Sequence, residues 1–215
     1  MTKPPHLYPK PAGLDHDDVL KPRPGSERIT AEVEREVAES AFASGDTFRR
    51  WRATLGPARA ATLLYDCWSR GLIVKRTLRQ HVGSIWHTAD IPDYWLGHGQ
   101  WRELFDAAGY TRVPYSMTAA VDVLGSEIGE AVERPTRPIT VYRGSISGRR
   151  DDWSWTANPV CAARWASGTL YNRPLGRIWM ATASPERLLC RIDRWDQYVV
   201  DTTDLDIREY EGTPS

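Results

Sequence analysis

The spacing of apolar residues changes character once along this chain. Up to about residue 132 they return every three to four positions, as on the buried stripe of a helix. Beyond Pro138 they alternate with polar residues, as on a half-buried strand. Val33, Val37 and Ala41 mark a helix over 31–43, with Thr30 as its N-cap and Ser44-Gly45 as its end. A second helix is predicted over 46–55. Gly56-Pro57 interrupts it, and Pro57 suits the first turn of a third helix that carries Leu63, Leu64, Cys67 and Trp68 and closes at Gly71. Across 72–86, Ile73, Leu78, Val82 and Ile85 fit a helix better than a strand. A short amphipathic helix over 101–108 is stopped by Gly109, and a further helix is predicted over 118–132. Pro135 and Pro138 then separate a mainly helical half from a mainly β half.

In the second half, strands are predicted over 139–142, 153–156, 177–183, 188–192 and 198–201. One helix, over 158–166, is inserted among them, opened by an Asn-Pro pair that supplies both an N-cap and an N1 proline. At the other end, residues 1–27 hold Pro4, Pro5, Pro9, Pro11, Pro22 and Pro24 among charges. That composition neither propagates a helix nor supplies a core, so the segment is expected to be a disordered or draped tail.

Composition narrows the function classes. Of 215 residues 41% are hydrophobic, enough for a sizeable core. Lys+Arg and Asp+Glu both number 28, so no overall basic field drives nonspecific nucleic-acid binding. The three cysteines, Cys67, Cys161 and Cys190, show no metal-ligand spacing and are expected to be reduced, buried thiols. No apolar run approaches the roughly 20 residues that span a bilayer. The N-terminus also lacks the apolar stretch of a signal peptide, which points to a cytoplasmic protein without a membrane partner. His81, His87 and His98, near Asp90 and Asp93, match no zinc pattern, so no metal is expected. Arg49-Arg50-Trp51-Arg52 and Lys75-Arg76 are explained more simply by solvated helix faces than by nucleic-acid contact. Ten tryptophans are unusual, but core packing accounts for large rings without invoking a ligand.

The chemistry concentrates after Pro138. Ile139-Thr-Val-Tyr-Arg-Gly-Ser145 is an apolar strand that carries Arg143 to its end, where Gly144 lets the chain turn. A guanidinium is a rigid fork of donors matched to paired phosphate oxygens, although a salt bridge at a strand end is the plainer use of such a residue. Ser154 and Thr156 lie two apart, so both hydroxyls share one face of a strand while Trp155 takes the other, toward the sheet packing. Gln197-Tyr-Val-Val-Asp201 forms a third strand with polar residues at both ends.

Arg143, then Ser154-Trp-Thr156, then a polar residue leading into an apolar strand is an order that resembles the arginine-serine-glutamate class of mono-ADP-ribosyltransferases, in its bacterial and phage forms. The likeness covers roughly residues 86–207. It includes Trp86, the helix with Trp101 and Phe105, Val141-Tyr-Arg-Gly144, and the Ser-Trp-Thr strand feeding Ala162-Ala-Arg-Trp-Ala166. It implies that residues 86–215 form an NAD-binding domain built as a split antiparallel β-sandwich; with the helical N-terminal region (28–85), which has no comparable likeness, the protein is expected to be α+β. It further implies that Arg143 and Gly144 contact the dinucleotide, that Ser154, Thr156 and Trp155 shape the nicotinamide pocket with Ser154 also a catalytic residue, and that NAD is the substrate. The acceptor would be a macromolecule, a protein before a nucleic acid, and the segment around 191–196 is where the likeness places its recognition. One residue departs from the class. Gln197 stands where a catalytic glutamate is expected, and Asp196 beside it is the alternative acid. A catalytically silent relative acting by protein binding and a simple NAD glycohydrolase are the competing readings.

Overall fold

The computed structural model describes residues 26–89, 96–115, 128–168 and 174–212. Among the described residues five helices come first: α1 (Ser26–Glu39), α2 (Gly45–Leu55), α3 (Pro57–Ser69), α4 (Lys75–Thr88) and α5 (His98–Ala108). Local chemistry sets several of their ends. The Ser44 hydroxyl accepts from Thr47 N (3.1 Å) and caps α2. Gly56 (φ 78°) ends that helix in a left-handed conformation, and Pro57 opens α3. The first helix begins before Thr30 and stops at Glu39, so Thr30 lies inside it, and Ser44-Gly45 starts α2 instead of ending α1.

The strands are β1 (Thr111–Val113), β2 (Glu130–Ala131), β3 (Ile139–Ser145), β4 (Ser154–Thr156), β5 (Arg177–Ala183), β6 (Leu188–Ile192), β7 (Gln197–Val200) and β8 (Arg208–Glu209). A sixth helix, α6 (Pro159–Ala166), follows β4, capped by Asn158 Oδ1, which accepts from Val160 N at 2.9 Å. The protein is thus of mixed α+β class. Its strands form one continuous ladder in the order β2-β1-β6-β7-β4-β3-β5-β8, antiparallel except for β1 beside β6.

The predicted helix over 118–132 meets a limit at its end. Most of it falls outside the described residues, but Glu130–Ala131 is a strand. Gly129 N donates to Gln80 O (2.9 Å), and Glu130 and Ala131 pair with Arg112 and Thr111, so the chain is extended here along α4 and β1.

The helices pack on one face of the sheet. Their core joins Trp51, Leu64, Leu78, Val82, Trp101 and Phe105 to Val113, Cys190, Ile192 and Val199 from the strands. α4 runs through the boundary expected near residue 85, and it lies tight against the sheet because a Cβ at Gly83 would come 2.7 Å from Cys190 Sγ and from Val113 Cγ2. Trp86 forms part of an aromatic pile, stacked on Trp153 (centroids 5.9 Å apart, 26°), with His98 stacked on the same Trp153 (4.5 Å, 15°). The opposite, outer face has its own apolar set, including Tyr110, Val141, Trp155, Trp179 and Tyr198. No helix among the described residues is long and apolar enough to cross a membrane.

Asp201, just after β7 and largely buried, ties the helical layer to the sheet through Arg102 of α5 and Arg187. Burial pushes its carboxyl up, but hydrogen bonding from Thr203 and the charges of Arg102 and Arg187 outweigh that and hold it below the ordinary aspartate range. Its contribution to stability is therefore present above the unfolded pKa, near 4, and is lost as pH falls below that value through the folded one. Asp201→Asn is expected to cost about 2 kcal/mol at pH 7. The gap from wild type in urea unfolding narrows at pH 3; a gap independent of pH would contradict this role.

Candidate active site at strands β3, β4 and β7

Three segments far apart in sequence are hydrogen-bonded neighbours. Tyr142 of β3 pairs with Thr156 of β4, which pairs with Gln197 of β7, and Ser154 pairs with Val199. Paired residues share a face, so Tyr142, Ser154, Thr156 and Gln197 belong to the helix-covered face with Val199. Arg143 pairs with Trp179 and belongs to the outer face with Val141 and Trp155. The structure therefore brings the hydroxyl strand and Gln197 together and sets the Arg143 side chain on the other side of the same three strands.

Arg143 is mostly enclosed and acts as a brace. Its Nε donates to Arg149 O (2.8 Å), Nη1 to Ser154 O (2.5 Å) and Nη2 to Asp152 Oδ2 (2.7 Å). Arg149 reaches the same Asp152 carboxylate at 2.6 Å. Two guanidiniums thus share one carboxylate, and the shared turn fixes where β4 lies relative to β3. Contact between Arg143 and a phosphate requires the ligand to take the place of Asp152. The role of Gly144 is equally concrete: a Cβ there would lie 2.0 Å from Ala162 O and 2.5 Å from Ala166 N, so glycine is what lets α6 approach the strand.

On the helix-covered face, the Ser154 hydroxyl accepts from Trp86 Nε1 at 3.3 Å, linking β4 to α4. Thr156 is fully buried; its hydroxyl donates to Trp195 O (2.7 Å) and accepts from Asn158 N (3.0 Å). Thr156 thereby holds the turn that leads into Gln197. In that turn Trp195 (φ 65°) and Asp196 (φ 47°) are consecutive left-handed residues that are not glycine, a strained arrangement secured by Thr156 and by Ala157 N donating to Asp196 O (3.0 Å). The Trp195 ring is left exposed. Trp155 is wholly enclosed, its Nε1 donating to Asp152 O (2.8 Å), so it presents no surface to a ligand and is a core residue of the outer face.

Gln197 is half-buried, and its carboxamide makes no hydrogen bond among the described residues. Asp196 is turned toward Arg191, with Oδ1 3.3 Å from Nη2. The neutral amide faces the site, while the acid beside it answers a cation. Burial raises the thiols of Cys67 and Cys190 to about 12 and pushes Cys161 up as well, so all three cysteines stay protonated.

Two contributors escaped the sequence reading. Asp152, the partner of Arg143, had a signal in the Arg149-Arg-Asp-Asp152 run between two predicted strands. The left-handed Trp195-Asp196 turn had only a weak one: aspartate is among the residues that tolerate a positive φ, but nothing marks tryptophan for that conformation. No family model, curated protein or solved structure matches the chain.

Proposed function

We propose that the chain is an NAD-dependent mono-ADP-ribosyltransferase with an ADP-ribosyltransferase-like fold, acting on a macromolecular acceptor, a protein before a nucleic acid. The observation that carries this reading is the register of β3, β4 and β7, which places Ser154, Thr156 and Gln197 on one face of adjacent strands with Arg143 locked to β4 behind them. Ser154 would line the nicotinamide site, Thr156 would hold the turn that carries Gln197, and the Gln197 carboxamide would accept a hydrogen bond from a ribose hydroxyl. In the reaction the bond between the ribose C1′ and the nicotinamide nitrogen breaks, and its electron pair leaves with nicotinamide. A nucleophilic atom of the acceptor then bonds to C1′ and gives up its proton.

A second reading, a silent relative that acts by binding a protein partner, is favoured by two features: the neutral Gln197 and the engagement of Arg143 with Asp152. Arg143→Lys separates them, because lysine keeps the charge and loses the fork that bridges three acceptors. If the chain is a transferase, the variant retains its circular dichroism and loses about tenfold or more of label transfer from NAD. Unchanged transfer would remove Arg143 from the site.

A further inference from the structure

Polar groups without protein partners converge on one cavity of the outer face, away from Gln197. The cavity, about 350 Å³, lies at the end of the sheet formed by β1, β6 and β7, and its walls include Tyr110, Glu133, Arg191 and Tyr198. The Tyr110 side chain is buried, and its hydroxyl has no hydrogen-bond partner among the described residues. The Tyr198 hydroxyl has none among the described residues either. Buried polar groups are satisfied in most folded proteins, so the enclosed Tyr110 hydroxyl is an exception, while the Tyr198 hydroxyl is the phenol left to meet a partner from outside the chain.

The charged walls differ in how firmly they are engaged. Arg112 holds Asp193 through two donors, Nε at 3.0 Å and Nη2 at 2.6 Å. Arg191 reaches Asp193 and Asp196 only at 3.4 and 3.3 Å and makes no hydrogen bond among the described residues. Its guanidinium, half-exposed, lies 5.9 Å from the centre of the Tyr198 ring. Burial raises the pKa of both phenols, so they remain O–H donors. The donor set is therefore a loosely held guanidinium and the Tyr198 phenol, the acceptor is Glu133, and the apolar walls are Val132 and Pro135. Donors of this kind fit the oxygens of an anion, and aromatic faces with an apolar wall fit a flat ring.

We propose that this cavity binds a nucleoside monophosphate, its phosphate on Arg191 and the Tyr198 hydroxyl, its base against Tyr110 and Pro135, and its ribose hydroxyls donating to Glu133. The size suits that class: ligand sites span about 300–1,000 Å³, and this one lies at the small end. The site is separate from the proposed active site. Arg191 and Tyr198 alternate with Ile192 and Gln197 along β6 and β7, which places them on the opposite face of the sheet.

Calorimetric titration of the full chain with AMP, beside inorganic phosphate, tests the proposal. Saturable AMP binding is expected, weakened by about tenfold or more in Arg191→Ala and by about fivefold in Tyr198→Phe, and unchanged in Gln197→Glu. Without ligand, Tyr110→Phe is expected to melt no lower than wild type, because it removes an unpaired buried hydroxyl; a purely structural tyrosine would show the reverse. Absence of saturable heat at millimolar AMP, or equal affinity in wild type and Arg191→Ala, would overturn the site. Loss of AMP binding in Gln197→Glu with none in Arg191→Ala would also overturn it, by moving the ligand to the other face.

Discussion

The Gln197→Glu variant is expected to release nicotinamide from NAD about 100 to 1,000 times faster than the wild-type chain, the usual worth of one preorganised electrostatic partner of a transition state. Breaking the glycosidic bond leaves positive charge on the ribose. A carboxamide can accept the same ribose hydrogen bond as a carboxylate, but it carries no charge to answer that cation. The position is suited to the exchange. Gln197 is half-buried at the start of β7 between Thr156 and Ile192, and its carboxamide has no hydrogen bond among the described residues to lose. Partial exposure keeps the introduced carboxylate ionised at neutral pH, and the gain in rate should vanish as pH falls below about 4, where it protonates. Release of nicotinamide from labelled NAD gives the number directly. No change in Gln197→Glu, together with abolition in Asp196→Ala, would transfer the acid role to Asp196 and require that carboxylate to leave Arg191.

Gly144→Ala is expected to cost about 3 kcal/mol and to lower the Tm by roughly 6–12 °C. The cause is steric. The new methyl would meet backbone atoms of α6 at 2.0 and 2.5 Å, and backbone cannot rotate aside as a side-chain end can. Relief requires α6 to move off β3, and α6 begins at Asn158, which is bonded to Thr156. The substitution should therefore also disturb the turn that carries Gln197. Gly148→Ala is the control, since nothing lies within 4 Å of the corresponding Cβ. Thermal unfolding that treats the two substitutions alike would mean that the close approach of α6 does not exist.

Much of the helical half was legible in the sequence because its signals are local. Gly56-Pro57, Gly109 and the Asn158-Pro159 pair act within one turn of chain, and they stand at helix ends in the structure. Strands β3 to β7 lie where apolar alternation put them, within a few residues. The strands β1, β2 and β8 have two or three residues each and exist only because a neighbouring strand pairs with them, so no periodicity announced them. At the candidate site, the same-face relation of Ser154 and Thr156 followed from a spacing of two. What failed to follow was pairing across strands. That Arg143 meets Asp152 and the Ser154 carbonyl, and that its side chain belongs to the face opposite Gln197, depends on register between segments that one sequence does not align. Trp155 behaved as alternation required and entered the core.

The most direct test of the transferase account is incubation of the purified chain with NAD labelled in its adenylate portion and a bacterial lysate, sorting label into protein, nucleic acid and free ADP-ribose. The account predicts label on a discrete macromolecule, reduced in Arg143→Lys and increased in Gln197→Glu. Label that remains on intact NAD in wild type and in Gln197→Glu alike would contradict it and make the silent relative the better description, and label appearing only as free ADP-ribose would replace transfer by hydrolysis.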